Sequence, residues 1–179
     1  MSKPKLLLAA CCGPCATVAI ERLKPDYDII VLFWGDNLNN RKEYARRLVA
    51  LRTVNGALND GKVMMAGKYN KKNFLKNITG LENEPEGGKR CEECFTLRLK
   101  DAAKMAAACK FDFFATTLTT SPHKDAGLIN KIGEDLSKQY GVKYLPTDFK
   151  ENNGFARSVE LSKQLGIYRQ NYCGCGISS

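Results

Sequence analysis

Apolar runs and amphipathic segments alternate along most of the chain. Residues 5–10 and 28–34 are near-continuous apolar runs, which are typical of strands buried on both faces of a parallel sheet. Each run is followed by a helical segment, at residues 15–23, stopped before Pro25, and at residues 41–54. This order predicts a βαβ unit.

The rest of the chain continues the alternation. In chain order we predict a strand at 62–66, a short basic helix at 71–78, a loop at 81–90, a helix from Cys91, a strand at 112–117, a helix from Ser121 to about Tyr140, a strand at 142–145 and a helix at about 154–165. Ser121 and Pro122 fit an N-cap and first helical position, and Gly141 fits a helix end.

No repeat or linker divides the sequence, so we predict a single α/β domain over residues 1–179. The expected architecture is a Rossmann-like three-layer sandwich with a mainly parallel sheet, right-handed crossovers and a cysteine-bearing C-terminal tail. Ligands of such sheets bind at the carboxyl ends of the strands. Cys11, Cys12 and residues 116–121 take that position, so they could face one site.

Composition narrows the possible environments and partners. The chain has 179 residues, with 28 Lys and Arg against 19 Asp and Glu, which gives a net charge of +9. This charge makes a phosphate-rich partner such as nucleic acid plausible. No apolar run approaches the ~18 residues of a membrane span, so we expect a cytosolic protein with no membrane partner. Its eight cysteines then indicate metal or redox chemistry rather than structural disulfides.

The first three cysteines lie at a strand-to-helix turn. At Cys11, Cys12 and Cys15, free backbone N–H groups and the helix dipole should stabilise thiolates, so we expect lowered pKa values. Cys12 and Cys15 also form the Cys-Gly-Pro-Cys pattern of a thioredoxin-like dithiol oxidoreductase. That alternative stays open, although it gives no role to the later cysteines.

A second pair, Cys91 and Cys94, is spaced for two sulfurs on one side of a helix's first turn. Together with Cys11 and Cys12 it supplies four thiolates, which fit either a [4Fe–4S] cluster or structural zinc. Adjacent cysteines suit the wider corners of a cluster better than a single ion, and this favours the cluster.

The last two cysteines, Cys173 and Cys175, are separated by one glycine. A disulfide across one residue departs from relaxed geometry and is easily reduced, so we interpret the pair as a reversible dithiol. Further metal ligands or inert thiols are the alternatives. Cys109 lies on the apolar stripe of its helix, and we expect it to be buried in the core.

Four motifs in order carry a family resemblance. Residues 7–15, 86–99 with Glu-Gly-Gly-Lys-Arg-Cys-Glu-Glu-Cys-Phe, 116–125 with Ser-Pro-His-Lys-Asp, and 168–174 with Tyr-Arg-Gln-Asn-Tyr-Cys-Gly resemble the QueH family. These are the epoxyqueuosine reductases unrelated to the cobalamin-dependent enzyme of the same activity. The resemblance implies the last step of queuosine biosynthesis, in which an epoxide in tRNA is reduced to the alkene.

The same resemblance implies cofactors, partners and roles. It places a [4Fe–4S] cluster on two adjacent cysteines and the distant pair, which are Cys11, Cys12, Cys91 and Cys94. It also implies a redox-active pair at the C-terminus, Cys173 and Cys175. The partners would be tRNA carrying epoxyqueuosine in the anticodon and an electron donor protein or another reductant.

Further residues are candidates for the chemistry. Cys15 could ligate an additional metal ion, iron or zinc. His123 and Asp125, expected in the first turn of the helix after Ser121, could deliver protons or contact substrate, although hydrogen-bonded structural roles are as plausible. The basic candidates for phosphate contacts are Lys124, Arg169, Arg46 and Arg47, and those for base stacking are Tyr168 and Tyr172. A solvated charged face and core packing are the respective alternatives.

Two other function classes use similar sequence features. A tRNA-modifying ATP pyrophosphatase needs a Ser-Gly-Gly-x-Asp-Ser phosphate loop after the first strand, where this chain has Cys11 to Cys15, so it is disfavoured. A zinc-stapled tRNA-binding module without catalysis remains an alternative.

Overall fold

A computed structural model describes residues 2–177 and shows an α/β sandwich built on a five-stranded parallel sheet. The strand order is β3-β2-β1-β4-β5. The elements, in chain order, are β1 Lys5–Ala10, α1 Gly13–Leu23, β2 Asp28–Phe33, α2 Arg41–Leu58, β3 Met65–Ala66, α3 Lys71–Asn77, α4 Lys89–Ala108, β4 Phe113–Thr116, α5 Ala126–Tyr140, β5 Lys143–Tyr144 and α6 Gly154–Gln164. The predicted Rossmann-like sandwich is confirmed.

The central strand β1 shows why its apolar run is continuous. Leu6 and Leu8 face a core shared with α1 and α2, whereas Leu7 and Ala9 face the core under α4 and α5. Successive side chains of a strand point to opposite faces, so burial of both faces requires apolar residues at every position. The absence of alternation in the sequence therefore follows from the helices on both sides.

Several element boundaries differ from the prediction. Helix α1 begins at Gly13, since Pro14 sits in the first turn, where its missing N–H is not needed. Helix α2 continues to Leu58, about one turn beyond the predicted end, and α4 begins at Lys89 within the predicted loop. Of the predicted third strand, only Met65–Ala66 pairs with β2.

The predicted start of α5 at Ser121 and Pro122 is wrong. Residues Leu118–Thr120 form a short 3₁₀ helix, and the N-cap of α5 is Asp125, whose Oδ1 accepts a hydrogen bond from Leu128 N at 3.1 Å. The N–H groups in the first turn of a helix have no partner within the helix, and the Asp125 carboxylate accepts from one of them. The predicted end is confirmed, because Gly141 adopts the left-handed conformation with φ of 67°.

The expected burial of Cys109 is also wrong. Cys109 is the C-cap of α4 and is exposed. The apolar stripe of α4 ends one turn earlier, at Ala106, which is fully buried.

The carboxyl ends of β1 and β4 are neighbours at the point where the strand order reverses. Ala9 pairs with Thr116, and Thr117 N donates a hydrogen bond to Ala9 O at 3.0 Å. Thr120 Oγ1 donates to Cys15 O at 3.1 Å, which ties the loop after β4 to the first turn of α1. The two predicted loops therefore meet at one edge of the sheet.

None of the helices described between residues 2 and 177 has the length and apolar character to cross a membrane.

Gly13 lets α1 approach α2 closely. A Cβ atom at this position would lie 2.9 Å from the backbone carbon and oxygen of Ala50, which cannot move away without shifting α2. We expect Gly13→Ala to lower the free energy of unfolding by about 1–3 kcal/mol. Gly56→Ala is the matched control, because no atom lies within 4 Å of a Cβ there; it should raise stability by about 0.5–1 kcal/mol. Urea denaturation measures both changes, and equal stability of the two variants would contradict the close packing.

Candidate active site

Three thiols surround the start of α1 and are linked to one another. Cys11 follows β1, Cys12 is the extended N-cap of α1, and Cys15 lies in its first turn. The Cys11 thiol donates to Cys12 sulfur, and the Cys12 thiol donates to Cys15 sulfur. The turn therefore presents a continuous series of three sulfurs.

The expectation that all three have lowered pKa values is wrong for two of them. The hydrogen bond to Cys12, together with burial, raises the pKa of Cys11. The hydrogen bond from Cys11 lowers the pKa of Cys12, but the bond to Cys15 and burial outweigh it and raise that pKa to about 11. Only Cys15, which accepts from Cys12, has a lowered pKa. At Cys11 and Cys12, the hydrogen bonds among the thiols and the loss of water together outweigh the effect of the helix N-terminus.

The second pair of thiols lies at the N-terminal turns of α4. Cys91 sulfur accepts a hydrogen bond from Gly87 N at 3.3 Å, and Cys94 is buried. Burial raises the pKa of Cys94, while the Arg98 guanidinium lowers it and the charge of Cys11 raises it. Cys94 and Cys11, from two distant parts of the sequence, thus lie within range of each other's charge.

Arg98 connects the separate groups of cysteines. It lies one turn after Cys94 on α4, is 4% exposed, and its guanidinium packs over the Trp34 ring at 5.0 Å from the centroid. Burial opposes the charged form, but the facing thiols of Cys94, Cys11 and Cys173 raise the pKa of Arg98. The sequence prediction missed this residue, although its position four residues after Cys94 on a helix was a usable signal.

Two adjoining cavities collect seven of the eight cysteines. The larger, of about 440 Å³, is lined by Cys11, Cys12, Cys15 and Cys173, and the smaller, of about 20 Å³, by Cys91, Cys94, Cys173 and Cys175. The cavities share the lining residues Glu86, Arg98, His123, Lys124 and Cys173. Both thus open around one set of charged side chains at the carboxyl edge of the sheet.

The loop before α5 contributes to the site differently from the prediction. His123 and Asp125 do not lie in the first helical turn, since the helix begins at Ala126. His123 lines both cavities, whereas Asp125 caps α5 and is not among the lining residues of either. Lys124 also lines both cavities. Burial alone would lower its pKa, but the charges of Cys173, Cys15 and Cys11 raise it.

The basic and aromatic candidates fall into two groups. Arg169 and Tyr172 line the larger cavity, where Arg169 packs over the exposed ring of Phe155 and Tyr172 is 42% exposed. Arg47 also lines this cavity, but it is 1% exposed and its N–H groups are bonded to Glu43 and to the tail, which leaves little of it for a phosphate backbone. Tyr168 donates from its hydroxyl to Glu43 Oε2 at 3.0 Å and packs under Arg46.

The cysteines do not form a compact single-ion site. Among residues 2–177, no three His, Cys, Asp or Glu side chains are grouped closely enough to hold one metal ion. None of the eight cysteines, all of which lie in the described part of the chain, forms a disulfide. The arrangement offers thiols from three chain segments around shared cations.

Comparison with known proteins identifies a family. Residues 6–179 match the family model described as Epoxyqueuosine reductase QueH. A protein of that name from Streptococcus pyogenes serotype M1 is 42% identical over 177 residues, which are 97% of this chain and 69% of the relative. A second, from Staphylococcus epidermidis, is 40% identical over 97% of this chain and 75% of its own length. A third, from Thermotoga maritima, is 34% identical and matched over 89% of its length.

The positions of the thiols predict their order of alkylation. Cys109 is exposed, whereas Cys12 and Cys94 are buried and have raised pKa values. Because alkylation needs an accessible thiolate, we expect Cys109 to react about tenfold faster or more than the other two. Peptide mass spectrometry after short exposure to iodoacetamide measures this order, with guanidinium-unfolded protein as the control in which the rates converge. Equal rates in the folded protein would contradict the described burial.

Proposed function

This chain belongs to the QueH family of epoxyqueuosine reductases, and on that premise we propose that it reduces the epoxide of epoxyqueuosine in the anticodon of tRNA to the alkene of queuosine. The observation that carries the proposal is the pair of adjoining cavities, which are lined by seven cysteines and share the buried Arg98 and the partly buried Lys124. Such a site holds electron-donating sulfur beside groups that stabilise negative charge.

The stoichiometry of the reaction fits a dithiol donor. Removing the epoxide oxygen as water and forming the carbon–carbon double bond consumes two electrons and two protons. Oxidation of Cys173 and Cys175 from two thiols to one disulfide releases two electrons and two protons. The thiols of Cys173 and Cys175 already lie within hydrogen-bonding reach of each other, and this contact raises the pKa of Cys173. A reductant, either a thiol or an electron donor protein, must then regenerate the dithiol.

The residues present fit a [4Fe–4S] cluster on Cys11, Cys12, Cys91 and Cys94. A cluster held by four thiolates is anionic, and Arg98 is a buried cation that faces both cysteine groups. Within the described part of the chain, Arg98 Nε is buried without a hydrogen-bond partner, so it can donate to a sulfur ligand. When bound, the cluster would supply one-electron transfer and a Lewis-acidic iron. Cys15, whose pKa is lowered, is a candidate ligand for an additional iron or zinc ion.

The side chains of the chain itself have separate tasks. Lys124 carries its positive charge into both cavities and would stabilise negative charge that develops on the departing oxygen. His123 lines the same space and is a candidate to deliver a proton to that oxygen. Asp125 contributes to the site by capping α5, which holds this loop in place.

The entrance of the larger cavity suits a nucleotide. Tyr172 and Phe155 expose their rings there, and Arg169 lies over Phe155 at 5.3 Å from the ring centroid. Single-stranded RNA loops are recognised by stacking of splayed bases on aromatic and arginine side chains. We propose that the anticodon loop binds at this entrance.

The thioredoxin-like alternative requires that the Cys12 thiol be accessible to another protein. Cys12 is 1% exposed and has a pKa of about 11, so its thiol cannot readily attack a disulfide of another protein. The zinc-stapled module remains the alternative to test, because it uses the same ligand cysteines.

Absorbance and iron content separate the cluster from zinc. Protein prepared without oxygen should be brown, absorb broadly near ~400 nm and contain about four iron atoms per chain. Cys94→Ser should lose iron and reduction of epoxyqueuosine tRNA, measured by nucleoside mass spectrometry, whereas the matched Cys109→Ser should keep both. Cys173→Ser should keep the iron and lose turnover. A colourless zinc protein, or full turnover by either site variant, would overturn the proposal.

A second test concerns Lys124. Lys124→Gln removes the charge that faces the cavity, and we expect kcat to fall about 100- to 1,000-fold, in the range found when a group that stabilises a transition-state anion is removed. Iron content should not change, because Lys124 is not a ligand. Lys131→Gln, an exposed position on α5, is the control. An unchanged kcat for Lys124→Gln would exclude its catalytic role.

A further inference from the structure

The segment that carries the last two cysteines has no helix or strand of its own, but its backbone is held at every residue. The carbonyl oxygens of residues 172 to 175 each accept a hydrogen bond. Arg47 donates to Tyr172 O at 3.3 Å and to Cys173 O at 3.1 Å. Asn39 N donates to Gly174 O at 2.8 Å, and Lys71 Nζ donates to Cys175 O at 3.0 Å.

Arg47 makes the largest share of these contacts. Besides its two bonds to the tail, its Nε donates to Glu43 Oε1 at 2.6 Å, and its guanidinium lies 5.4 Å from the Tyr172 ring centroid. A planar guanidinium can direct several N–H groups at fixed angles, which a lysine ammonium cannot do. The orientation of Arg47 therefore determines where the backbone of Tyr172 and Cys173 lies.

Glu43 and Tyr168 fix that orientation. Glu43 is buried one turn before Arg47 on α2, and Tyr168 donates to it from the start of the tail. A buried cation without a partner would be strongly destabilised, so the carboxylate both compensates the charge and aligns the guanidinium. The tail is thus tied to α2 through Tyr168 as well as through its carbonyl groups.

Gly174 shows how closely the tail is fitted. Its φ of 100° lies in the region that favours glycine, and a Cβ atom there would lie 2.8 Å from both Arg47 Cζ and Leu38 Cδ2. A disulfide across a single residue closes a small ring that departs from relaxed geometry, and we infer that forming it would shift the backbone at Gly174. Such a shift would have to displace Arg47 and disturb the hydrogen bond that Asn39 N donates to Gly174 O.

We propose that Arg47 is a positioning residue that holds residues 172–174 in the dithiol conformation and so keeps the Cys173–Cys175 disulfide easy to reduce. The proposal rests on the proposed function of this pair and assigns the control of its redox equilibrium to a residue on α2. The reaction considered is the exchange of the two thiols with oxidised glutathione, which forms one disulfide in the protein and releases two molecules of reduced glutathione.

The equilibrium can be measured on the whole protein under anaerobic conditions. Samples are equilibrated in glutathione buffers of graded ratio, quenched with acid, alkylated and digested with trypsin. Cleavage after Arg169 releases residues 170–179, a peptide that contains these two cysteines and no others. Its disulfide fraction gives the equilibrium constant without reference to turnover.

Arg47→Lys keeps the charge and removes the forked geometry. We expect it to raise the equilibrium constant for disulfide formation at least about tenfold, which is about 30 mV for a two-electron couple. Glu43→Gln, which retains shape but loosens the alignment of Arg47, should shift it in the same direction by less. Arg52→Lys, an exposed position on the same helix, is the control and should leave the constant unchanged. Slow alkylation of buried Cys12 in every variant monitors the fold.

The outcomes distinguish the two proposals. If the unmodified protein forms the disulfide and Arg47→Lys has the same constant as Arg52→Lys, Arg47 has no positioning role and the inference is overturned while the redox pair stands. If the unmodified protein forms no disulfide in any buffer, the proposed role of the pair is overturned, and the inference with it. A tenfold shift with Cys12 still protected supports the inference.

Discussion

The site depends on one buried positive charge surrounded by sulfur. Arg98 is withdrawn from water, and the penalty for burying a lone ion is several kcal/mol. Thiols from three separate segments, those of Cys94, Cys11 and Cys173, face the guanidinium and favour its charged form. Arg98 therefore lies where the rim of the sheet, the start of α4 and the C-terminal tail meet.

The parts of the fold that follow from uniform burial were the most predictable. Strands β1 and β2 are apolar at nearly every position because helices cover both faces, and their predicted bounds agree with the structure to within a residue. The start of α5 was not predictable in the same way, because Ser121 and Asp125 are both good N-caps. In the structure a 3₁₀ turn at Leu118–Thr120 precedes Ser121, and the helix begins only after Asp125.

The candidate site was predictable in its cysteines and in Lys124 and Arg169, which line the cavities, but not in the burial of its arginines. Side chains with distinctive chemistry, such as the pair Cys91 and Cys94, can be recognised in the sequence from their spacing. Arg47 and Arg98 look like surface charges in the sequence, and only the structure shows that both are buried against sulfur-bearing segments. The position of the tail could not be predicted from the sequence. Its hydrogen bonds are accepted by backbone carbonyl oxygens, which every residue type has.

The same cations change how the net charge should be interpreted. An excess of nine positive charges suggests a surface that attracts phosphate. Arg47, Arg90 and Arg98 are each at most 4% exposed, and all three serve internal contacts, Arg90 by donating to the carbonyls of Glu82 and Glu84. Part of the positive charge thus stabilises the loop and tail that shape the cavities. In the proposed function, attraction of RNA comes from the exposed remainder, and Arg169 is an exposed arginine that lies at the cavity itself.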